Sequence, residues 1–190
     1  MKILIASNNP KKLKELQAIL PAEIVPLGDH PSPKEDGATF AENALIKARA
    51  GVAASGLASI ADDSGLCVEA LGGMPGVLSA RWSGNGDDAN NALVLHQMED
   101  MANRNAAFVS VCALVTPDGQ EFVVEGRWEG ELLREPVGEN GFGYDPIFRP
   151  FDGDGRSSAQ LSPEEKNAIS HRAKALAQLV PIIETLNSAE

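Results

Sequence analysis

The sequence predicts an α/β fold around a mixed β-sheet. Two observations carry this expectation. Strand-like and helix-like segments alternate from residue 2 to residue 56, and two segments of alternating character, 107–116 and 121–127, are joined by the turn Pro117-Asp118-Gly119-Gln120. A third supports it: the chain is 43% hydrophobic and 23% charged, which is enough apolar material for a real core. The 190 residues suit a single domain, 1–190, of two closely joined lobes, with no linker, repeat or low-complexity stretch.

The elements follow in order. Lys2 to Ala6 reads as a buried strand, and Asn9 with Pro10 then caps a helix whose Leu13, Leu16, Ile19 and Leu20 recur at helical spacing before Pro21. Glu23 to Leu27 is a second extended piece, followed by a Pro- and Gly-rich loop to Gly37. Thr39-Phe40-Ala41-Glu42 forms a capping box for a helix with Ala41, Ala44, Leu45, Ala48 and Val52 on one face, closed by Gly56. Leu57 to Ala61 is a strand running into Asp62-Asp63-Ser64-Gly65, with a short strand, Leu66 to Ala70, beyond. After a loop-rich stretch, Asp87 or Asp88 starts a helix reaching about Ala102. Beyond the hairpin, Glu129 to Leu133 is a further strand and 138–146 a second glycine-rich loop. Ser162-Pro163-Glu164-Glu165 then caps the final helix, which Pro181 kinks or ends.

Charge and composition narrow the function classes. A formal net charge of −11 argues against a general nucleic-acid or acidic-membrane binder, although a local cluster of cations can still hold a small polyanion. No apolar run reaches the ~20 residues of a membrane-spanning helix, and Ile3-Leu4-Ile5-Ala6 is too short for a signal-peptide core. Cys67 and Cys112 sit among apolar neighbours without CxxC spacing, so they read as reduced, buried thiols in a cytoplasmic protein. His30 and His96 receive no role, and Asp152-Gly153-Asp154-Gly155 lacks the rest of a calcium loop.

Four segments can carry chemistry. Ser7-Asn8-Asn9-Pro10-Lys11-Lys12 joins a strand to a helix, placing amides, a helix N-terminus and two lysines where a phosphate could sit; a well-capped helix with surface lysines is the plainer reading. Asp62-Asp63 at a strand end offers hard oxygens suited to Mg²⁺, with Glu35 or Asp36 as a further carboxylate, or else forms an Asx-type turn. Gly141-Phe142-Gly143-Tyr144-Asp145-Pro146 pairs backbone freedom with two aromatic rings that could stack on a base, or is a tight turn over the core. Lys166 and Ser170, at i and i+4, bring donors to one helix face together with His171 and Arg172, where a solvated face is the alternative.

Taken in order, these segments resemble one family, the inosine/xanthosine triphosphate pyrophosphatases (Ham1-like), over nearly the whole chain from Ser7 to Arg172. The resemblance rests on Phe40-Ala41-Glu42-Asn43-Ala44 with Lys47-Ala48-Arg49, Ala61-Asp62-Asp63-Ser64-Gly65-Leu66, Gly141 to Pro146, and Ser170-His171-Arg172. It implies a long mixed β-sheet with helices forming two lobes around a nucleotide cleft, a homodimer, and Mg²⁺-dependent hydrolysis of ITP, dITP and XTP to monophosphate and pyrophosphate. It also implies that Ser7, Asn8, Asn9, Pro10, Lys11 and Lys12 line the triphosphate, with Lys47 near the phosphates. Glu35 and Asp63 match the Mg²⁺ carboxylates, and Asp63 matches the general base. Ser64, Phe142, Gly143, Tyr144, Asp145, Lys166, His171 and Arg172 match substrate-binding positions. The first loop departs from the family's usual Thr-Gly-Asn: Ser7 keeps the hydroxyl, and Asn8 stands where glycine is usual.

On this reading Lys12, Lys47, Lys166, Arg172 and Mg²⁺ offset the substrate's charge, while a donor such as His171 or Arg172 selects a 6-oxo purine over adenine. Two rivals remain: a Maf-like house-cleaning pyrophosphatase acting on other nucleotides, and a nucleotide sensor without turnover.

Overall fold

The computed structural model describes residues 1–188. Six strands form one sheet: β1 (Lys2–Ile5), β2 (Glu23–Pro26), β3 (Ala58–Val68), β4 (Asn105–Val115), β5 (Glu121–Leu132) and β6 (Phe148–Pro150), in the order β2-β1-β3-β4-β5-β6. β1 pairs in parallel with β2 and β3, and β5 pairs antiparallel with β6, so the sheet is mixed as the sequence predicts. The helices are α1 (Pro10–Ile19), α2 (Phe40–Ser55), α3 (Asp87–Gln97), α4 (Pro163–Ile169) and α5 (His171–Ser188).

The contacts divide the chain into two compact units. The first comprises Met1–Asp63, Ser110–Gly126 and the chain from Arg172 on; the second comprises Ser64–Val109 and Arg127–His171. In the first, Ile3, Ile5, Leu16, Ile60, Leu114, Leu176 and Leu179 make the core, with α1, α5 and the start of β3 all supplying apolar faces. In the second, Trp128, Phe108, Phe148, Leu66, Val94 and Ile147 do so. No helix among the described residues is long and apolar enough to cross a membrane.

Local chemistry explains the helix starts. Asn9 Oδ1 accepts from the amides of Lys11 and Lys12 and Pro10 occupies the first turn, as expected of an Asn-Pro start. Thr39 Oγ1 accepts from Glu42 N, and Gly56 closes α2 in the left-handed conformation. Gly51, inside α2, is required by packing: a Cβ there would lie 2.2 Å from Ser59 Oγ on β3.

Four local expectations need correction. Asp62-Asp63-Ser64-Gly65 is neither a strand end nor an Asx turn; it lies inside the eleven-residue β3, which joins the two short strands the sequence suggested. The expected strands 121–127 and 129–133 likewise merge into the single strand β5, Glu121–Leu132, whose alternating exposed and buried positions run through Gly126. The helix after Ser162 is two helices, because Ser170 adopts an extended backbone and caps α4 before α5 begins at His171. Finally, of the two outcomes expected at Pro181, an end is excluded, because α5 continues past it: Leu176, Leu179 and Ile183 are fully buried, and their packing outweighs the ~3 kcal/mol that an internal proline costs.

Candidate functional site

The period of a β-strand separates the two adjacent aspartates. Successive side chains on β3 point to opposite faces, so Asp62 and Asp63 have different hydrogen-bond partners, although Lys12 and Lys47 act on both. Asp62 is buried. Its Oδ2 accepts from Arg172 Nε at 3.1 Å and Nη2 at 3.0 Å, and its Oδ1 lies 3.1 Å from the Lys12 ammonium. Arg172, just as buried, also pairs with Glu15. Burial pushes the Asp62 carboxyl up, but Arg172, Lys12 and Lys47 together overcome it and hold the group well below the usual carboxylate range. The same pairing holds Arg172 above its ordinary value despite burial.

Asp63 faces a different set. Its Oδ2 accepts from Asn43 Nδ2 at 3.1 Å, and its Oδ1 is 3.8 Å from Lys47 Nζ. Lys47 also pairs with Glu35 and donates to the Asp62 carbonyl at 2.7 Å. Asn43 and Lys47 lie four apart on α2 and so reach β3 together. Burial raises the proton affinity of Asp63, and it prevails over Lys47 and Asn43 while the neighbouring Glu35 adds to it. Asp63 is therefore the more basic of the pair, held by two side chains, Asn43 and Lys47, within one unit.

Glu35 and Asp63 converge on a single ammonium. Among the described residues no group of three or more His, Cys, Asp or Glu side chains is arranged to hold a metal ion. Two carboxylates meeting at one point are nevertheless a donor set that suits Mg²⁺, which typically takes one or two carboxylates with phosphate and water completing its shell. Around these groups, three cations (Lys12, Lys47, Arg172) face four carboxylates (Asp62, Asp63, Glu35, Glu15). The balance is negative, so a triphosphate entering such a cluster gains from an added divalent cation.

The first loop has the capped form that is the plainer reading of its sequence. Ser7 Oγ accepts from Asn9 N at 3.1 Å, and the Lys11 and Lys12 amides already donate to Asn9. A phosphate there competes with the loop's own side chains. Asn8 is exposed, and no non-glycine residue among those described has positive φ, so asparagine is accommodated without left-handed backbone. Ser64 follows Asp63 on β3, partly buried.

In the second unit, Asp145 organises the glycine-rich loop. Its Oδ2 accepts from Phe142 N at 2.9 Å and from Lys166 Nζ at 2.8 Å, and its Oδ1 accepts from Ser158 Oγ at 2.6 Å. Gly141 makes this possible: with φ at +73°, a Cβ there would lie 2.0 Å from Asp145 Oδ2. Lys166 also sits 4.7 Å from the Phe142 ring centroid, a cation–π distance. The charge of Lys166 is thus met by Asp145 within the second unit. Tyr144 is buried and donates to the Ser79 carbonyl at 2.6 Å; burial, with Asp87 nearby, raises its proton affinity. His171 stacks on Phe108 at 4.8 Å and Trp128 at 6.1 Å, leaving its ring nitrogens as its polar handles.

Three contributors escaped the sequence reading: the anchoring role of Asp62, Glu15, and Asn43. Asn43 left a signal, because it lies one turn before Lys47 and so shares its side of the helix.

Comparison with known proteins gives a consistent result. The Ham1 family model matches residues 3–182. The chain is 62% identical to a dITP/XTP pyrophosphatase of Corynebacterium glutamicum, covering 100% of both chains, and 64% identical to one of Corynebacterium diphtheriae over 96% of this chain and 97% of that one. Among solved structures, a HAM1 protein from Coxiella burnetii superposes with a TM-score of 0.89 at 42% identity, covering 97% of this chain and 99% of that chain. A nucleoside-triphosphatase / dITP/XTP pyrophosphatase from Mycobacterium abscessus does so with a TM-score of 0.76 at 59% identity, covering 95% and 100%.

Proposed function

The chain belongs to the Ham1 family, and on that premise we propose that it hydrolyses dITP, ITP and XTP to the nucleoside monophosphate and pyrophosphate, with Mg²⁺ as cofactor. The observation that carries the reading is Asp63, a carboxylate of raised proton affinity held beside Glu35 and Lys47. Asp63 takes a proton from the attacking water as the new P–O bond forms, and the bond between the α-phosphate and the leaving pyrophosphate breaks. Lys12, Lys47 and Arg172 offset the charge that the triphosphate brings, which is most of what phosphoryl transfer asks of a protein. Glu35 and Asp63 would hold the Mg²⁺, whose chemistry there is to neutralise phosphate oxygens. The turn Gly141 to Asp145, with Lys166 over Phe142, is assigned to the base. A donor facing the 6-oxo group of hypoxanthine or xanthine meets a donor in adenine, and that mismatch rejects ATP.

A product assay by HPLC with ITP, XTP, ATP, GTP and dTTP, each with and without Mg²⁺, tests the proposal. Rapid Mg²⁺-dependent release of monophosphate and pyrophosphate from ITP and XTP, with ATP nearly untouched, is the expected result. Preferred turnover of dTTP overturns it in favour of a Maf-like activity, and tight binding without turnover in favour of a sensor. A homodimer in the cytoplasm completes the proposal. Light scattering should give about twice the 20.0 kDa chain mass.

A further inference from the structure

We infer that Asp87 and Asn91, on the first two turns of α3, are positioning residues for base selection, gripping the two peptides that flank Gly143 and so setting the pose of Phe142. The inference rests on the reading that the turn Gly141 to Asp145 meets the base.

Gly143 N–H donates to Asp87 Oδ2 at 2.9 Å, and Asn91 Nδ2 donates to the Gly143 carbonyl at 3.0 Å. One bond holds the peptide before Gly143 Cα and the other the peptide after it. Together they restrain both torsions of a glycine at φ +61°, the residue type with the most backbone freedom to lose. The neighbouring residues are tied elsewhere: Phe142 N to Asp145, Tyr144 Oη to the Ser79 carbonyl, and Asp145 to Ser158 and Lys166. The Phe142 ring is left only partly buried, with Lys166 over it. Backbone restraint therefore helps to fix the ring's approach, and the restraint at Gly143 comes from α3.

Asn91 carries a second mark of this role. It is 5% exposed, and because the Gly143 carbonyl can only accept, the amide nitrogen must face it. Its Oδ1 is then turned into the protein, where it is a buried acceptor with no hydrogen-bond partner among the described residues. An apolar side chain would pack that helix face without this cost, so the asparagine is there for the bond it makes. Its neighbour Asn90 works alike, accepting from Ser83 N at 2.7 Å and donating to the Ala80 carbonyl at 3.2 Å. The start of α3 thereby holds residues 79–83, to which Tyr144 is anchored, as well as Gly143.

Asp87 also suits the helix dipole, as any acid in a first turn does. Asp88 shares that turn and supplies the control. Steady-state kinetics with XTP, ITP and ATP would compare Asp87→Ala, Asp87→Asn, Asn91→Ala, Asp88→Ala and Phe142→Ala. Losing a charge-assisted bond to the loop should raise KM for XTP and ITP about tenfold in Asp87→Ala, with kcat held within ~3-fold and ATP nearly unchanged, which narrows selectivity about tenfold. Asn91→Ala should act in the same direction. Asp87→Asn, whose amide oxygen still accepts from Gly143 N–H, should recover wild-type KM, and Asp88→Ala should match wild type. If Phe142→Ala narrows selectivity while Asp87→Ala leaves it intact, or shifts all three nucleotides alike, the α3 grip is overturned and the base-reading turn survives. If Phe142→Ala itself leaves the XTP-to-ATP ratio unchanged, the base reading fails and the inference falls with it. Exposed Asp87 carries the test alone should Asn91→Ala fail to fold.

Discussion

Replacing Asp62 with asparagine isolates the most heavily paired group in the chain. The substitution keeps the shape and removes the charge that the Arg172 guanidinium and the Lys12 ammonium share. Asp62 and Arg172 side chains are each 1% exposed, so the guanidinium loses its main partner where water cannot replace it. Breaking a buried pair by removing one member costs about 3–5 kcal/mol. Glu15 still touches Arg172 and the Lys12 side chain is 17% exposed, so the lower end, about 3 kcal/mol, is expected. A domain of about 150–250 residues shifts its Tm by ~2–4 °C per kcal/mol, which gives a fall of about 6–12 °C. The assay is urea unfolding followed by tryptophan fluorescence, with calorimetry, at pH 7.5 in EDTA. The pH dependence has a definite sign. Because the folded-state proton affinity of Asp62 is lowered, its contribution is fully present above the unfolded carboxylate value of about 3.9 and is lost as pH falls toward the folded value. The gap between wild type and variant should be flat from about pH 8 to pH 5 and close below about pH 4. A variant within ~0.5 kcal/mol of wild type at pH 7.5, the scale of an ordinary surface change, would refute the reasoning.

Three further outcomes are expected. Asp63→Asn should lower kcat for XTP by ~10²–10⁴ while circular dichroism and Tm stay close to wild type, and a fully active variant removes Asp63 as the base. Cys112, whose thiol burial and the nearby Asp62 charge push up to about 12, should resist iodoacetamide at pH 8 in the native protein; rapid alkylation seen by mass spectrometry would contradict the burial argument. Gly141→Ala places a Cβ against Asp145 at a positive φ and should destabilise the protein by about 1–3 kcal/mol, read by urea unfolding, while raising KM for XTP.

Much of this was legible in the sequence, and the reasons differ by element. The Asn9-Pro10 start, the Thr39 cap and the Gly56 stop are local devices that work through backbone amides a few residues away, so residue type alone suffices. The break at Ser170 left no signal in the sequence, and the continuity of β3 through Asp62-Asp63 was not legible because it depends on distant partners. Two adjacent acids favour a turn in isolation, and only Lys12, Arg172, Lys47 and Asn43, brought from three other segments, make them tolerable inside a strand. Lys166 illustrates the same limit. Its ion pair with Asp145, twenty-one residues earlier, left no mark in the local sequence.

The split between Asp62 and Asp63 depends on register more than on either residue. β1 fixes β3 through Ile3↔Ala58, Leu4↔Ser59 and Ile5↔Ile60, and Ala6 N donates to the Ile60 carbonyl at 2.8 Å. A one-residue slip would exchange the faces, giving Asp62 to Lys47 and burying Asp63 against Arg172. Gly51 guards against this from the helix side, since its missing Cβ lets α2 close on Ser59 to within reach of Asn43 and Lys47. Strand period thus gives one carboxylate to the Arg172 and Lys12 cluster and its neighbour to the proposed proton transfer. The first holds a buried cation pair at low proton affinity; the second, one bond along the chain, keeps enough basicity to accept a proton.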